Sequence, residues 1–155
     1  ADLNEFRERY ERMITPPETL FSGVREGLTK LRAAGFNLSI CSNKPQNLCE
    51  KVLADTDLNT FFDVIVGLRP DLPRKPAPDM LQATIKALDC APEECLYVGD
   101  SEIDHQVAME AGLPFVFMAY GYAEPQFTYE QEFSFDCFLT MSHSITSRLA
   151  AAEAA

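Results

Sequence analysis

Apolar positions recur every three or four residues in some stretches of this chain and gather into short continuous runs in others, and the two textures alternate. Leu3, Phe6, Tyr10 and Met13 stand at helical spacing in a charged background until Pro16-Pro17 stops the pattern, which predicts a lone amphipathic helix followed by a linker. From Phe21 onward the pattern predicts a helix over about 23–34 closed by Gly35, a strand over 36–41, a helix over 45–55 and a strand over 62–67. It continues with a helix over 78–89, a strand over 95–99, a helix over 102–111 closed by Gly112 and a strand over 115–119. Beyond these, Phe133 to Leu139 predicts an edge strand and 143–152 a short terminal helix, with the Ala-rich end from Leu149 frayed. Such alternation predicts right-handed crossovers and a mostly parallel sheet with helices on both faces.

Open sheets of this kind hold their chemistry at the carboxyl ends of the strands, and three of those ends carry polar residues that a core does not need. Gly99-Asp100-Ser101-Glu102-Ile103-Asp104 follows the apolar run Cys95-Leu96-Tyr97-Val98. If the chain turns helical after Gly99, Asp100 and Asp104 share one face, where two charges about 5 Å apart repel by roughly 3 kcal/mol at an effective dielectric near 20. A divalent cation relieves that repulsion, and an oxygen-only donor set favours Mg²⁺ over zinc or copper. The same stretch also reads as an ordinary helix N-cap with an acidic first turn. Ser42-Asn43-Lys44-Pro45 places a hydroxyl, an amide and fresh backbone N–H groups where an anion can sit, and reads equally as a cap with Pro in the first turn. Arg74-Lys75-Pro76-Ala77-Pro78 fixes a lysine between prolines, so that Lys75 is either aimed at an anion or a solvated loop residue.

Composition narrows the choice. With 155 residues and 46% hydrophobic positions the chain can bury one sizeable core. A net charge of −11 argues against nucleic acid or an anionic membrane surface as partner, and requires a local positive pocket for any anionic substrate. The five cysteines contain no C-x-x-C, which predicts buried thiols and a reducing, cytoplasmic setting rather than a disulfide framework or zinc knuckle. No apolar run approaches the 18 or so residues of a membrane helix, and the first residues lack the features of a signal peptide. Neither G-x-G-x-x-G nor a P-loop is present. His105, next to Asp104, reads as a helix-surface residue rather than a base, and the stripe Phe115, Phe117 and Met118 as core.

In order, Ser42-Asn43-Lys44-Pro45, Lys75-Pro76-Ala77-Pro78 and Gly99-Asp100-Ser101-x-x-Asp104 resemble the haloacid dehalogenase superfamily of phosphatases, in its phosphoglycolate phosphatase-like branch, over about Phe21 to Tyr122. The resemblance implies a three-layer, Rossmann-like α/β core over 18–155 and a remnant of a helical cap with its linker over 1–17. It also implies that Ser42 and the Asn43 amide hold a phosphoryl group and that Lys75 neutralises its charge. Asp100 would bind Mg²⁺, Asp104 would support both metal and Lys75, and Gly121-Tyr122 would form a loop near the site. The substrate class implied is a small phosphorylated metabolite.

One expected element is missing. The family's nucleophile is the first aspartate of an Asp-x-Asp-x-Thr motif after an amino-terminal apolar strand, and the only Asp-x-Asp here, Asp55-Thr56-Asp57, follows a helix and lacks the threonine. The expectation is therefore a sheet without its first, central strand and a chain that is weakly active or inactive alone. Bared sheet edges would then favour a complementing segment or a homo-oligomer. The alternative is a non-catalytic anion- or metal-binding module that pairs with a partner supplying the strand. A receiver-like signalling domain shares the fold class but would need its acidic cluster at earlier strand ends.

Overall fold

Among the described residues the apolar runs become five short strands, and the helical stripes close over them in a three-layer α/β fold. The structure is a computed structural model and describes residues 2–154; the side chains of Leu3, Phe6 and Arg7 lie outside the described residues, and with them the first two positions of the expected amphipathic stripe. Helix α1 (Leu3–Arg12) begins at an Asp2 cap whose carboxylate accepts from the Asn4 amide. There follow α2 (Val24–Ala33), β1 (Ser39–Pro45), α3 (Gln46–Asp55), β2 (Val64–Leu68), α4 (Asp79–Leu88), β3 (Tyr97–Gly99), α5 (Glu102–Ala111), β4 (Phe115–Met118), β5 (Ser134–Phe135) and α6 (Phe138–Glu153).

All strand pairs are parallel, in two separate sheets among the described residues: β1 with β2, and β3, β4 and β5 in that order. Ser39, Ile40 and Cys41 stand opposite Val64, Ile65 and Val66, and Tyr97, Val98 and Gly99 opposite Phe115, Val116 and Phe117. Strand β1 thus runs later in the sequence than the periodicity predicts, because its pairing carries on past an irregularity through the polar residues to Pro45.

Alternation along β4 divides the core. Phe115 and Phe117 join Leu81 and Ile85 of α4 and Val107 and Ala108 of α5 on one face, whereas Val116 and Met118 pack with Met141 of α6 on the other. A third cluster of Leu28, Leu53 and Leu58 holds α2 and α3 against Ile40 and Ile65. Helix α4 touches β1, β2 and α5, and α2 lies along α6, so helices tie the two sheets together on both faces.

The carboxyl-terminal segment corrects the sequence reading. Only Ser134 and Phe135 are strand, and the expected edge strand over 133–139 gives way to helix from Phe138. Phe138, Met141, Ser142 and Ile145 stand at helical spacing, and burying them against α2 and β4, with Met141 and Ser142 at 0% exposure, outweighs the β propensity of the aromatic run. Among the described residues no helix is long and apolar enough to cross a membrane.

Candidate active site

The carboxyl ends of β1 and β3 face each other, and Lys75 from the β2–α4 loop lies between them. Its ammonium donates to Asp104 Oδ1 at 2.6 Å, to the Tyr97 hydroxyl at 2.9 Å and to the Cys41 carbonyl at 3.1 Å. That combination spends all three donors of a lysine on one carboxylate and on both strands. Lys75 and Asp104 side chains are each only 9% exposed, so the solvated-loop reading of this lysine is set aside. Neighbouring Arg74 is exposed.

The loop that carries Lys75 is clamped by Asn43. The Lys75 amide donates to Asn43 Oδ1 at 2.8 Å, and Asn43 Nδ2 donates to the Lys75 carbonyl at 3.0 Å. The Asn43 side chain is thus committed to positioning the lysine, a role its sequence position alone does not reveal. Ser42 Oγ accepts from the Lys44 amide at 3.2 Å, which turns the end of β1 toward α3. Lys44 Nζ in turn donates to the Tyr10 hydroxyl at 3.3 Å and stands 4.8 Å from that ring's centre, so α1 rests beside the same strand end.

Asp104 is the hub of the opposite side. Its Oδ2 accepts from Ser101 Oγ at 2.8 Å and from the Asp100 amide at 3.1 Å, while Ser101 Oγ caps α5 by accepting from the Asp104 amide at 3.3 Å. The N-cap reading of this stretch therefore holds, and the same turn ties Asp104 to Ser101, to the Asp100 amide and to Lys75. A Cβ at Gly99 would collide with the Asp104 side chain, and one at Gly121 with the Asp100 side chain, so glycine is required at both. The Tyr122 amide donates to the Asp100 carbonyl at 3.1 Å, which brings the Gly121-Tyr122 loop beside the site.

The charges sort accordingly. Burial raises the Asp100 carboxyl above its usual range, and the charge of Asp104 raises it further. Burial opposes ionisation of Asp104 too, but the Lys75 ammonium overrides it and holds this carboxyl below its usual range. The Tyr97 hydroxyl is pushed up, first by burial and then by Asp104, and stays protonated. Two neighbouring carboxylates share one cation, and Asp100 is the one left without it. Both oxygens of Asp104 are engaged, and among the described residues no group of three His, Cys, Asp or Glu could cage a metal. The donor set nevertheless fits Mg²⁺, which keeps several waters and takes one or two carboxylates together with substrate phosphate.

Other sequence candidates fall elsewhere. Asp55 is ion-paired with Lys51 and accepts from the Thr15 amide, and Asp57 turns the chain after α3 at φ 52°, so the Asp-x-Asp is no part of the site. His105 is not on a bare helix surface; its ring lies 5.2 to 5.8 Å from those of Phe115, Phe127 and Tyr129. Tyr97 is the residue that sequence reasoning missed. A tyrosine inside an apolar strand run is the signal, because a buried hydroxyl must find a partner.

Below the site, the two sheets do not touch through their backbones. A groove of about 890 Å³ separates them, lined by Leu38 to Ser42 on one side, Leu96 to Asp100 on the other, and by Leu81 and Met141 from the two helical layers. The polar end of this groove is the Lys75 site.

Comparison with known proteins agrees with this architecture. Residues 1–118 match the haloacid dehalogenase-like hydrolase family. The chain is 32% identical over 138 residues to the phosphoglycolate phosphatase of Colwellia psychrerythraea, an alignment covering 88% of this chain and 61% of that protein. It is 37% identical over 117 residues to that of Cereibacter sphaeroides, covering 76% of this chain and 53% of the other. Among solved structures, a haloacid dehalogenase-superfamily hydrolase from Ehrlichia chaffeensis superposes with a TM-score of 0.70 at 25% identity, covering 83% of this chain and 58% of that one. The chain thus spans about half to three-fifths of the length of the curated relatives it matches. With the motif order, the parallel three-layer fold and these alignments in agreement, the chain belongs to the haloacid dehalogenase-like hydrolases, in the branch of the phosphoglycolate phosphatases.

Proposed function

We propose that this chain is the phosphate- and metal-holding part of a Mg²⁺-dependent phosphomonoester hydrolase acting on a small phosphorylated metabolite through an aspartyl-phosphate. The observation that carries the reading is the Lys75 ammonium bridging β1 and β3, through the Cys41 carbonyl and the Tyr97 hydroxyl, beside a carboxylate pair with one cation to share. Ser42 and the Asn43 backbone amide bind phosphoryl oxygens, and Lys75 supplies positive charge next to them. Asp100, with Asp104 beside it, holds Mg²⁺, which when bound neutralises phosphoryl charge. Asn43, Tyr97 and Asp104 keep Lys75 in place. In this reading Asp100 and Asp104 serve the metal and Lys75, so turnover would need a further, attacking carboxylate delivered into the groove. In the same reading residues 1–17, whose helix α1 reaches the site through Tyr10, are cap remnant and linker to the core over 18–155.

The test pairs binding with turnover. The purified chain is expected to bind inorganic phosphate in a Mg²⁺-dependent way, with affinity falling at least about tenfold in Asp100→Asn, and to hydrolyse p-nitrophenyl phosphate weakly or not at all. Phosphate binding indifferent to Mg²⁺ and to Asp100→Asn would overturn the site. Hydrolysis at ordinary enzymatic rates would overturn the missing nucleophile.

A second reading is favoured by the groove itself: a non-catalytic module that pairs with a partner strand. Two parallel edges facing each other across an apolar slot offer main-chain hydrogen bonds on both sides of an inserted segment. Light scattering after size exclusion separates the cases, since a strictly monomeric chain over a wide concentration range counts against pairing with itself.

A further inference from the structure

At the other end of β3 from Asp100, two thiols meet. Cys90 follows the end of α4 and Cys95 precedes β3, and their sulfurs are 3.2 Å apart across the Pro92–Glu94 3-10 turn. The backbone holds them there from several sides. Asp89 closes α4 with φ 53°, the Ala91 amide donates to Glu94 Oε2 at 2.9 Å, and the Cys95 amide donates to the Pro92 carbonyl at 3.0 Å. Cys95 Sγ also contacts the Ala91 carbonyl at 3.3 Å, and Cys90 Sγ the Ile85 carbonyl at 3.8 Å. Both side chains rest against the cluster of Leu81, Ile85 and Phe115, and both line the open groove, so a small reagent reaches them.

We propose that Cys90 and Cys95 form a thiol-modification site at which a small-molecule disulfide reversibly oxidises the pair to an intrachain disulfide. The sequence offers no C-x-x-C and argues for separate buried thiols; the fold instead brings two of the five together, while Cys41, Cys49 and Cys137 sit on β1, on α3 and before α6. To reach the bonded distance of about 2.05 Å the sulfurs close by about 1 Å, and the constraint on the backbone is only a six-residue loop. One thiol loses its proton and attacks the reagent disulfide, forming a mixed disulfide and releasing one reagent thiol. The second then attacks the mixed disulfide and releases the other, so that two electrons and two protons pass from the cysteines to the reagent.

The thiol of Cys95 is pushed up to about 12, first by burial and then by its Cys90 neighbour. Near neutral pH Cys95 rests as a thiol, so its attack is slow there and faster in alkali. Oxidation would join the end of α4 to the segment just before β3, two residues from Tyr97, whose hydroxyl accepts from Lys75.

The experiment incubates the full chain with oxidised glutathione at alkaline pH without denaturant, quenches in acid, alkylates, and counts free thiols. The count is expected to fall from five to three and to return to five with dithiothreitol. Digestion after glutamate, which cuts within the turn at Glu93 and Glu94, is expected to yield two peptides joined through Cys90 and Cys95. Cys95→Ser should instead keep a glutathione adduct on Cys90 with no cross-link. The oxidised chain should melt several degrees higher. Five thiols persisting, a cross-link to a different cysteine, or a lower melting temperature would each overturn the proposal.

Discussion

The two ends of the slot between β1 and β3 differ more than any other two places in this molecule. At the carboxyl end, Lys75, Tyr97, Asp104 and the Cys41 carbonyl bind one another across the gap; along the rest of it, Ile40, Val98, Leu81 and Met141 line an apolar groove with no backbone pairing between the sheets. The polar end does structural duty that hydrogen-bonded strands do elsewhere, and it does so with the groups proposed to handle phosphate. Binding chemistry and cohesion are therefore not separable at Lys75, whereas in the groove cohesion comes from the helices that floor and roof it.

Lys75→Met tests that coupling most severely. It leaves Asp104 buried beside Asp100 with no cation, and removing one partner of a buried pair costs about 3–5 kcal/mol. Urea unfolding should show a loss of that size; a loss below about 1 kcal/mol would mean that the strap across the gap contributes little. Leu81→Ala attacks the other end. Leu81 is 2% exposed on the helix that packs on β1 and β2, and it clusters with Phe115 and Phe117 of the other sheet, so truncation should cost about 2–5 kcal/mol while leaving the proposed Mg²⁺-dependent phosphate binding in place. Loss of binding with stability retained would reverse the division between the two ends.

Tyr97→Phe is gentler and more specific. It removes an acceptor for Lys75 and a donor to Asp104 Oδ1 at 3.1 Å or to the Cys41 carbonyl at 3.3 Å, but leaves the ring 6.3 Å from Phe115 in the core. The expected cost is about 1–2 kcal/mol. A double-mutant cycle with Lys75→Met should show strong coupling, because both substitutions break the same network. Independent effects would place the hydroxyl outside it.

How much of this contrast can be read from sequence follows from which interactions are local. Strand ends that carry Ser42, Lys75, Asp100 and Asp104 are legible, because alternation of element types fixes a parallel sheet and parallel sheets expose their carboxyl ends together. The conflict between Asp100 and Asp104 is legible from their closeness in sequence, but not as two positions on one helix face, because α5 starts only at Glu102 after the extended Ser101 cap. Tyr97 is not, since nothing in Cys95-Leu96-Tyr97-Val98 says that its hydroxyl meets a lysine 22 residues earlier. Asn43 is half legible: its place beside Ser42 signals the site, but its use as a clamp on the Lys75 backbone depends on a loop conformation. The long α6 was hidden because Phe133 to Leu139 satisfies strand propensity locally, and only contact with α2 and β4 favours helix.

The smallest expected effect sharpens the contrast by repeating its chemistry outside the gap. Arg32 pairs with Asp63 at 2.6 Å at the amino-terminal end of the β1–β2 sheet, but these side chains are 36% and 38% exposed where those of Lys75 and Asp104 are 9%. Water and salt reach the first pair, so the coupling energy from a cycle of Arg32→Met and Asp63→Asn should be about 0.2–1 kcal/mol. It should fade in 1 M salt, where screening acts within about 3 Å. The Asp63 carboxylate also accepts from the Leu38 amide at 3.0 Å, so Asp63→Asn alone should cost more than the coupling, with the excess reporting the anchoring of the chain just before β1. Lys75 and Asp104, out of reach of the salt, should keep their coupling under the same conditions. If instead both pairs weakened alike, burial would not be what sets the Lys75 strap apart, and the gap between the sheets would have to be wetter than its lining implies.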